Sequence, residues 1–210
     1  MTLHDALAAC PLIAILRGVR EDEILDVAAI LYDAGFRAIE VPLNSPDPFA
    51  SIERLAGAYG DKAAIGAGTV TELADCQRLA DAGGRLMVAP NYAADVVEEA
   101  QRLGLATLPG VATPSEAFAA LRQGVDGLKL FPADTIGMGA LKAWRSVMPK
   151  DALLLPVGGV DAASIAGWRK AGADGFGIGG ALYRPGIDPD TLAGTAKEFV
   201  AAAKAAFPRD

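Results

Sequence analysis

The sequence predicts a compact (β/α)8 TIM barrel. Short apolar runs recur about every twenty to twenty-five residues, and each is followed by a stretch with helical periodicity. Strict alternation of strand and helix requires a mostly parallel sheet, either doubly wound or closed into a barrel. Eight such units favour the barrel. The segment Leu16-Arg-Gly-Val-Arg-Glu-Asp22, after the first strand, also lacks the G-x-G-x-x-G pattern of a dinucleotide-binding fold.

The predicted elements follow one another along the whole chain. The strands are Leu12–Leu16, Arg37–Leu43, Ala63–Gly68, Arg85–Ala89, Leu105–Pro109, Gly127–Phe131, Leu153–Val157 and Asp174–Ile178. The helices lie near Glu21–Ala34, Asp47–Tyr59, Thr71–Ala82, Ala93–Leu103, Pro114–Gln123, Met138–Val147, Ala162–Ala171 and Pro189–Ala206.

Residues that begin and end helices support these boundaries. Asp161 precedes one predicted helix as an N-cap, and Thr113 precedes another, with Glu116 three residues later as in a capping box. Ala-Gly pairs at Ala34-Gly35, Ala82-Gly83 and Ala171-Gly172 mark exits where the chain turns left-handed.

Composition narrows the class of protein. With 210 residues, 52% hydrophobic and 21% charged, and no linker-like segment, the chain is expected to form one domain over residues 1–210. No apolar run reaches the roughly 18–20 residues of a membrane span, and the opening segment Met1–Pro11 does not resemble a signal peptide. We therefore expect a soluble, cytoplasmic protein in which Cys10 and Cys76 are free thiols. The net charge of −7, without a basic cluster, argues against nucleic-acid binding.

Lys129 is the most unusual residue of the predicted sheet. It lies within Asp126-Gly-Leu-Lys-Leu-Phe-Pro-Ala-Asp134, in an apolar strand, and side chains alternate between the two faces of a strand. A lysine enclosed there has a lowered pKa and becomes a nucleophile near neutral pH. The alternative is that a single strand lysine reaches solvent or pairs with a carboxylate.

Glu40 is a second charged residue in an apolar strand. Within Ala38-Ile-Glu-Val-Pro42 we expect Ile39 and Val41 to face the helices and Glu40 to face the barrel interior. Lys129 and Glu40 on the inward faces of different strands suit either a structural ion pair or a nucleophile with its acid/base group.

The ends of the strands supply the candidate substrate-binding residues, because active sites of such barrels lie at that edge. Two glycine pairs close the last two strands, where backbone N–H groups commonly bind phosphate; tight turns are the alternative explanation. An arginine at the end of the first strand offers a planar fork to a carboxylate, or else a surface ion pair. The candidates are Arg17, Thr69, Pro90, Asn91, Phe131, Val157, Gly158, Gly159, Gly179 and Gly180.

Metal and histidine chemistry find little support. The single histidine, His4, lies ahead of the first strand, and no Asp, Glu and His residues have the spacing of metal ligands. The sequence thus predicts amine chemistry without a metal or cofactor.

Several segments together resemble one enzyme family. Ile39-Glu-Val-Pro-Leu-Asn-Ser-Pro46, Gly66-Ala-Gly-Thr69, Leu128-Lys-Leu-Phe-Pro132, Val157-Gly-Gly-Val160 and the closing Gly179 to Tyr183 segment resemble the class I 2-keto-3-deoxy-6-phosphosugar acid aldolases. The resemblance implies that Lys129 forms a Schiff base, that Glu40 shuttles protons and that barrels assemble as a homotrimer. It also implies cleavage of a phosphorylated 2-keto-3-deoxy sugar acid to pyruvate and glyceraldehyde 3-phosphate.

Within that family, the chain resembles the branch that acts on the galactonate epimer. Leu16-Arg17-Gly18 and Pro42-Leu-Asn-Ser-Pro46 are similar to that branch, and Asn44 stands where gluconate-type members have an arginine, which leaves Arg17 to bind the carboxylate. Val157 replaces a threonine typical of gluconate-type relatives. Gly180-Ala181 replaces a frequent glycine-serine pair, so backbone groups alone would bind phosphate at that loop.

Other functions stay open on the sequence alone. The gluconate epimer, or both epimers, could be the substrate. A phosphosugar epimerase or isomerase would need paired carboxylates or metal ligands, and a non-catalytic sugar-phosphate-binding barrel would share the glycine loops without needing Lys129.

Overall fold

The computed structural model describes residues 1–208, which fold into parallel strands surrounded by helices. The strands are β1 Leu12–Ile15, β2 Ala38–Pro42, β3 Ala64–Gly68, β4 Leu86–Val88, β5 Ala106–Leu108, β6 Gly110–Val111, β7 Leu128–Leu130, β8 Leu154–Pro156 and β9 Phe176–Ile178. The α-helices are α1 Leu3–Ala9, α2 Ile24–Ala34, α3 Pro48–Tyr59, α4 Leu73–Asp81, α5 Ala94–Arg102, α6 Pro114–Arg122, α7 Ala133–Arg145, α8 Ile165–Ala171 and α9 Pro189–Ala206.

The predicted α/β fold of the (β/α)8 barrel type is confirmed, but the strands form two hydrogen-bonded sheets and not one closed sheet of eight strands. The strands form a six-stranded sheet in the order β5-β4-β3-β2-β1-β9 and a three-stranded sheet in the order β6-β7-β8. One seam between the sheets carries a hydrogen bond from the Lys129 N–H to the Pro109 carbonyl at 2.9 Å. The other seam carries a bridge between Val157 and Gly177 and a bond from the Asp174 N–H to the Leu154 carbonyl.

The predicted strand Leu105–Pro109 is the main correction within the sheet. The structure has β5 and β6 on either side of Pro109, which has no N–H to donate to a ladder. β5 pairs with β4 and β6 pairs with β7, so the chain changes sheets at this proline.

The helices begin and end largely as predicted. Thr113 and Glu116 form a capping box, and the Asp161 side chain accepts a hydrogen bond from the Ser164 N–H. Asp161 caps a short 3-10 helix, 162–164, which leads directly into α8. The exit glycines Gly35, Gly83 and Gly172 all have positive φ, as expected.

The predicted helix Met138–Val147 is confirmed as the second part of α7, but the helical turn before it was not predicted. α7 begins at Ala133, and Gly137, a non-helical residue with a positive φ of 79° and a ψ of 157°, separates its two helical parts. The helical residues before this kink follow β7 directly.

No helix within residues 1–208 has the length and apolar character needed to cross a membrane.

Two apolar clusters lie on opposite sides of the strands. Ile39, Val41, Leu128 and Leu130 belong to the larger cluster between the sheet and the helices. The smaller cluster fills the barrel interior beside α1. Its buried members, which we call the basal cluster, are Leu3, Ala6, Leu7, Ile13, Ala38, Ala64, Leu86, Val88, Leu108 and Leu155.

Candidate active site

Lys129 and Glu40 lie inside the barrel, as their strand positions predict. Neighbouring Leu128 and Leu130 pack toward the helices, so Lys129 faces the opposite side, and β2 places Glu40 in the same way. Only 5% of Lys129 and 1% of Glu40 is exposed. The alternative in which the lysine reaches solvent is therefore wrong.

The Glu40 carboxyl group is packed against backbone. A Cβ atom added at Gly68 would overlap the Glu40 carboxyl oxygens, so any other residue at position 68 would displace the carboxyl group. Glu40 Oε2 is buried and accepts no hydrogen bond from any residue in the described range. Burial raises the pKa of Glu40 to about 7, although the positive charges of Lys129 and Arg17 oppose that rise. At neutral pH the group can both accept and release a proton.

The Lys129 amine has a lowered pKa. Burial is the main cause; the Glu40 charge opposes it and the Arg17 charge adds to it. Lys129 Nζ lies 5.0 Å from the centroid of the Phe131 ring, which shares its face of the strand. The larger neutral fraction of this amine is the form that attacks a carbonyl carbon.

Lys129 and Glu40 do not form an ion pair. Among the ion pairs of residues 1–208, none joins these two side chains, and the Glu40 Oε2 atom has no hydrogen-bond partner in that range. A buried pair retained for charge balance should be in contact and hydrogen-bonded. The arrangement therefore favours a nucleophile with a separate proton-transfer group.

A cavity of about 380 Å³ opens above Lys129 at the carboxyl ends of the strands. Eight of the predicted site residues line it: Arg17, Lys129, Phe131, Val157, Gly158, Gly159, Gly179 and Gly180. Larger cavities lie at the opposite end of the barrel and beside α9. Those cavities do not include Lys129, so size alone does not identify the reactive site.

Arg17 is held at the mouth of this cavity by a residue from the next strand. Its Nη1 atom donates to Asn44 Oδ1 at 2.5 Å, and the neighbouring Gly18 N–H donates to Ser45 Oγ at 2.9 Å. Asn44 and Ser45 were not among the predicted site residues. The signal was present, because both follow β2 at the edge where functional residues collect.

The glycine loops present unoccupied backbone donors to the cavity. Gly158 and Gly159 have φ of 100° and 69°, values at which other residues are strained. Within residues 1–208, no acceptor bonds to the N–H groups of Gly159, Gly180 or Ala181. These groups, with the Val160 N–H, can bind an anion without displacing an internal hydrogen bond.

Thr69, Pro90 and Asn91 do not line the cavity. Thr69 follows Gly68 and has a φ of 61°, an uncommon conformation for a β-branched residue. Pro90 and Asn91 pack against Gly110, whose N–H donates to the Asn91 carbonyl at 3.2 Å. Their predicted contact with substrate stays a prediction.

The remaining reactive side chains lie elsewhere. His4 Nε2 is 3.9 Å from Asp126 Oδ1 near the other end of the barrel, and Cys10 and Cys76 are buried free thiols. No three His, Cys, Asp or Glu side chains of residues 1–208 gather as a metal-ligand group.

Comparison with known proteins assigns this architecture to a family. Residues 3–188 match the family described as KDPG and KHG aldolase. The chain belongs to the KDPG and KHG aldolase family. It is an aldolase, a carbon–carbon lyase of the aldehyde-lyase class.

Sequence relatives within this aldolase family cover most of the chain. It is 46% identical over 94% of its length to a probable 2-dehydro-3-deoxy-6-phosphogalactonate aldolase of Rhizobium meliloti, of which 91% is covered. It is 45% identical over 91% of its length to the 2-dehydro-3-deoxy-6-phosphogalactonate aldolase of Escherichia coli, of which 94% is covered.

A solved structure of the family has the same fold. The one described as native KDPGal superposes with a TM-score of 0.92 at 44% identity, covering 93% of this chain and 95% of that one. The 2-keto-3-deoxy-6-phosphogluconate aldolase of Zymomonas mobilis superposes with a TM-score of 0.87 at 27% identity, covering 99% and 100%. This aldolase is therefore more similar to the galactonate-type structure.

Proposed function

We propose that this aldolase cleaves 2-dehydro-3-deoxy-6-phosphogalactonate to pyruvate and glyceraldehyde 3-phosphate through an imine on Lys129. The observation that carries the proposal is the buried placement of Lys129 and Glu40 on the inward face without an ion pair between them, with Lys129 lining the cavity. The names of the relatives from Rhizobium meliloti and Escherichia coli support the choice of substrate.

The first half of the reaction forms the imine. The neutral Lys129 amine adds to the C2 ketone of the substrate, and proton transfer gives a carbinolamine. Glu40 in its protonated form gives a proton to the departing hydroxyl, so water leaves and a protonated imine remains. The Glu40 pKa of about 7 suits a group that must donate this proton and later accept one.

The second half breaks the carbon–carbon bond. Glu40, now a carboxylate, takes the proton from the C4 hydroxyl, whose electrons form the aldehyde while the C3–C4 electrons move toward the iminium nitrogen. Glyceraldehyde 3-phosphate leaves, and Glu40 returns the proton to C3 of the remaining enamine. Water then hydrolyses the imine to release pyruvate and restore the Lys129 amine, so no cofactor is consumed.

Two further parts of the cavity bind the ends of the substrate. Arg17 binds the carboxylate next to the reacting ketone, through charge-assisted hydrogen bonds. The free N–H groups of Gly159, Gly180 and Ala181 bind the phosphate. The Asp161 carboxylate also lies at this cavity, and its Oδ1 atom accepts a hydrogen bond from the Ser164 N–H at 2.8 Å.

Reductive trapping tests the proposal. Incubation with pyruvate and borohydride should add one reduced pyruvyl group to the peptide that contains Lys129, and Lys129→Met should abolish the addition. Lys142→Met, which removes an exposed lysine of α7, serves as the matched control and should be trapped normally. Trapping on another lysine would contradict the assignment.

Metal dependence provides a separate test of the same mechanism. Activity should persist after exhaustive chelation, because the amine supplies the electron sink that a metal would otherwise provide. Loss of activity with recovery on adding a divalent ion would contradict the Schiff-base mechanism.

The second candidate substrate is the gluconate epimer. Val157 lines the cavity and carries no hydroxyl, so it offers no hydrogen bond that discriminates between the C4 epimers. We propose that the galactonate epimer is preferred or that both epimers are cleaved.

The resemblance to the aldolase family also supports a homotrimer acting in the cytoplasm. Light scattering at several protein concentrations should give three times the 21.5 kDa chain mass. A monomer or dimer at all concentrations would contradict the assembly without affecting the chemistry assigned to Lys129.

A further inference from the structure

The loops after β1 and β2 are joined by two hydrogen bonds at the mouth of the cavity. Asn44 Oδ1 accepts from Arg17 Nη1 at 2.5 Å, and Ser45 Oγ accepts from the Gly18 N–H at 2.9 Å. The first bond holds a side chain and the second holds the backbone next to it. Two successive residues of one loop thus fix two successive residues of the other.

The backbone at this junction has little freedom. Gly18 has a φ of 81°, and a Cβ atom there would lie 2.8 Å from Pro185 Cγ in the loop that follows β9. Ser45 is buried, so its hydroxyl is a fixed acceptor for the Gly18 N–H. Arg17 therefore projects from a fixed point of the chain, while its own long side chain is exposed.

An exposed arginine needs a partner to keep one orientation. Ordering such a side chain costs rotamer entropy, and this cost would weaken substrate binding if the guanidinium were free before the substrate arrives. Within residues 1–208, Asn44 is the one side chain that accepts a hydrogen bond from Arg17. Because the acceptor is a neutral amide, Arg17 keeps its full positive charge for an anion, which an aspartate would have offset.

We propose that Asn44 is a positioning residue, which holds the Arg17 guanidinium in the orientation that receives the carboxylate beside the ketone bound at Lys129. Asn44 acts through Arg17 and does not itself contact the reacting atoms. This inference rests on the proposed Schiff-base function.

The test compares two ketones, one with a charged carboxylate and one in which a methyl ester removes that charge. Pyruvate carries the carboxylate, whereas methyl pyruvate carries the same ketone in a neutral ester. For each, the concentration that half-saturates trapping on Lys129 is measured in wild type, Asn44→Ala, Arg17→Leu and the double variant. Gln77→Ala, which removes an exposed amide bonded to Asp81 on α4, is the matched control.

A positioning role gives a specific pattern. Asn44→Ala should raise the half-saturating pyruvate concentration about five- to thirtyfold and change that of methyl pyruvate less than about twofold, since a charge-assisted hydrogen bond contributes roughly one to two decades. Arg17→Leu should raise the pyruvate value about ten- to a hundredfold, and adding Asn44→Ala to it should have no further effect. Gln77→Ala should match wild type.

Three outcomes would overturn the positioning role while leaving the aldolase mechanism intact. They are unchanged pyruvate binding in Asn44→Ala, equal weakening of both ketones, and an Asn44→Ala effect that persists in full without Arg17. If wild type traps neither ketone on Lys129, the proposed function fails as well, and this result is distinct from the other three.

Discussion

The two ends of the barrel interior use burial in opposite ways. The basal cluster is wholly apolar and is covered by α1, whose Leu3 and Leu7 belong to it. Two residues further along β2 from basal Ala38, the interior instead holds the charged residue Glu40, with Lys129 on β7. The basal cluster and the pair of charged residues are both almost completely shielded from water.

The difference shows how one fold separates stability from chemistry. Burying a leucine or isoleucine stabilises the fold by roughly 1.5–3 kcal/mol, so the basal cluster contributes to folding. Burying an unpaired carboxyl or amine costs free energy, but it moves the pKa of each group toward neutrality. The barrel thus places the residues whose burial costs free energy at the end that opens to substrate.

The largest expected effect is the loss of chemistry at Lys129. Lys129→Met replaces the amine by an apolar chain of similar length, so it should lower kcat by at least about 10³-fold. The thermal midpoint should not fall, because a buried amine no longer has to be desolvated. Steady-state kinetics and calorimetry measure the two effects. Retained activity, or a large loss of stability, would contradict the contrast between the two ends.

Glu40→Gln should give the next largest loss of activity. Removing a group that transfers protons typically costs about 10²- to 10⁴-fold in rate. The inflection expected near pH 7 in wild-type kcat should disappear, because the glutamine does not titrate. A kcat profile recorded from pH 5 to 9 provides the measurement, and an unchanged inflection would assign it to another group.

The same substitution should alter the pH dependence of stability. The pKa of Glu40 is about 7 in the folded protein, against an ordinary value of 4.5, so the folded state keeps its proton to higher pH than the unfolded state does. Stability contributed by this group is full below about pH 4.5 and falls as pH rises to 7, by about 3 kcal/mol in total. Denaturant unfolding of Glu40→Gln should lack this decline. An identical decline in both proteins would contradict the assigned pKa.

Leu86→Ala tests the opposite end of the barrel. Leu86 is fully buried in the basal cluster, so truncating it should destabilise the fold by about 2–5 kcal/mol. At a temperature where the variant is folded, kcat should stay within about twofold of wild type. Urea unfolding combined with kinetics tests both statements, and a tenfold loss of kcat in the folded variant would show that the two ends are coupled.

Val157→Thr should have the smallest effect. The substitution adds one hydroxyl at nearly constant volume to a residue that lines the cavity, and one hydrogen bond contributes about 1–3 kcal/mol to discrimination. The ratio of kcat/KM for the galactonate and gluconate epimers should shift toward gluconate by about ten- to two-hundredfold. An unchanged ratio would remove Val157 from the determinants of epimer preference.

Prediction from the sequence was strongest where the information is local. The two-residue period of strands placed Lys129 and Glu40 on the inward face, and the end-of-strand rule collected Arg17 and both glycine pairs. It was weaker at Pro109, where the missing N–H splits one predicted strand, and at Ala133, where an unpredicted helical turn precedes Gly137. The strand pairing on either side of Pro109 and the start of the helix before Gly137 both depend on tertiary neighbours that the local pattern does not specify.

The sequence by itself determined the alternation of strands and helices, the inward placement of Lys129 and Glu40, and the resemblance to an aldolase family. Only the tertiary structure decided that these two groups are buried without an ion pair, that Asn44 holds Arg17, and that Thr69, Pro90 and Asn91 do not line the cavity. The face of a strand on which a side chain lies follows from chain geometry over two residues. Hydrogen-bond partners and burial depend on residues far apart in the sequence, such as Arg17 and Asn44, which only the folded chain brings together.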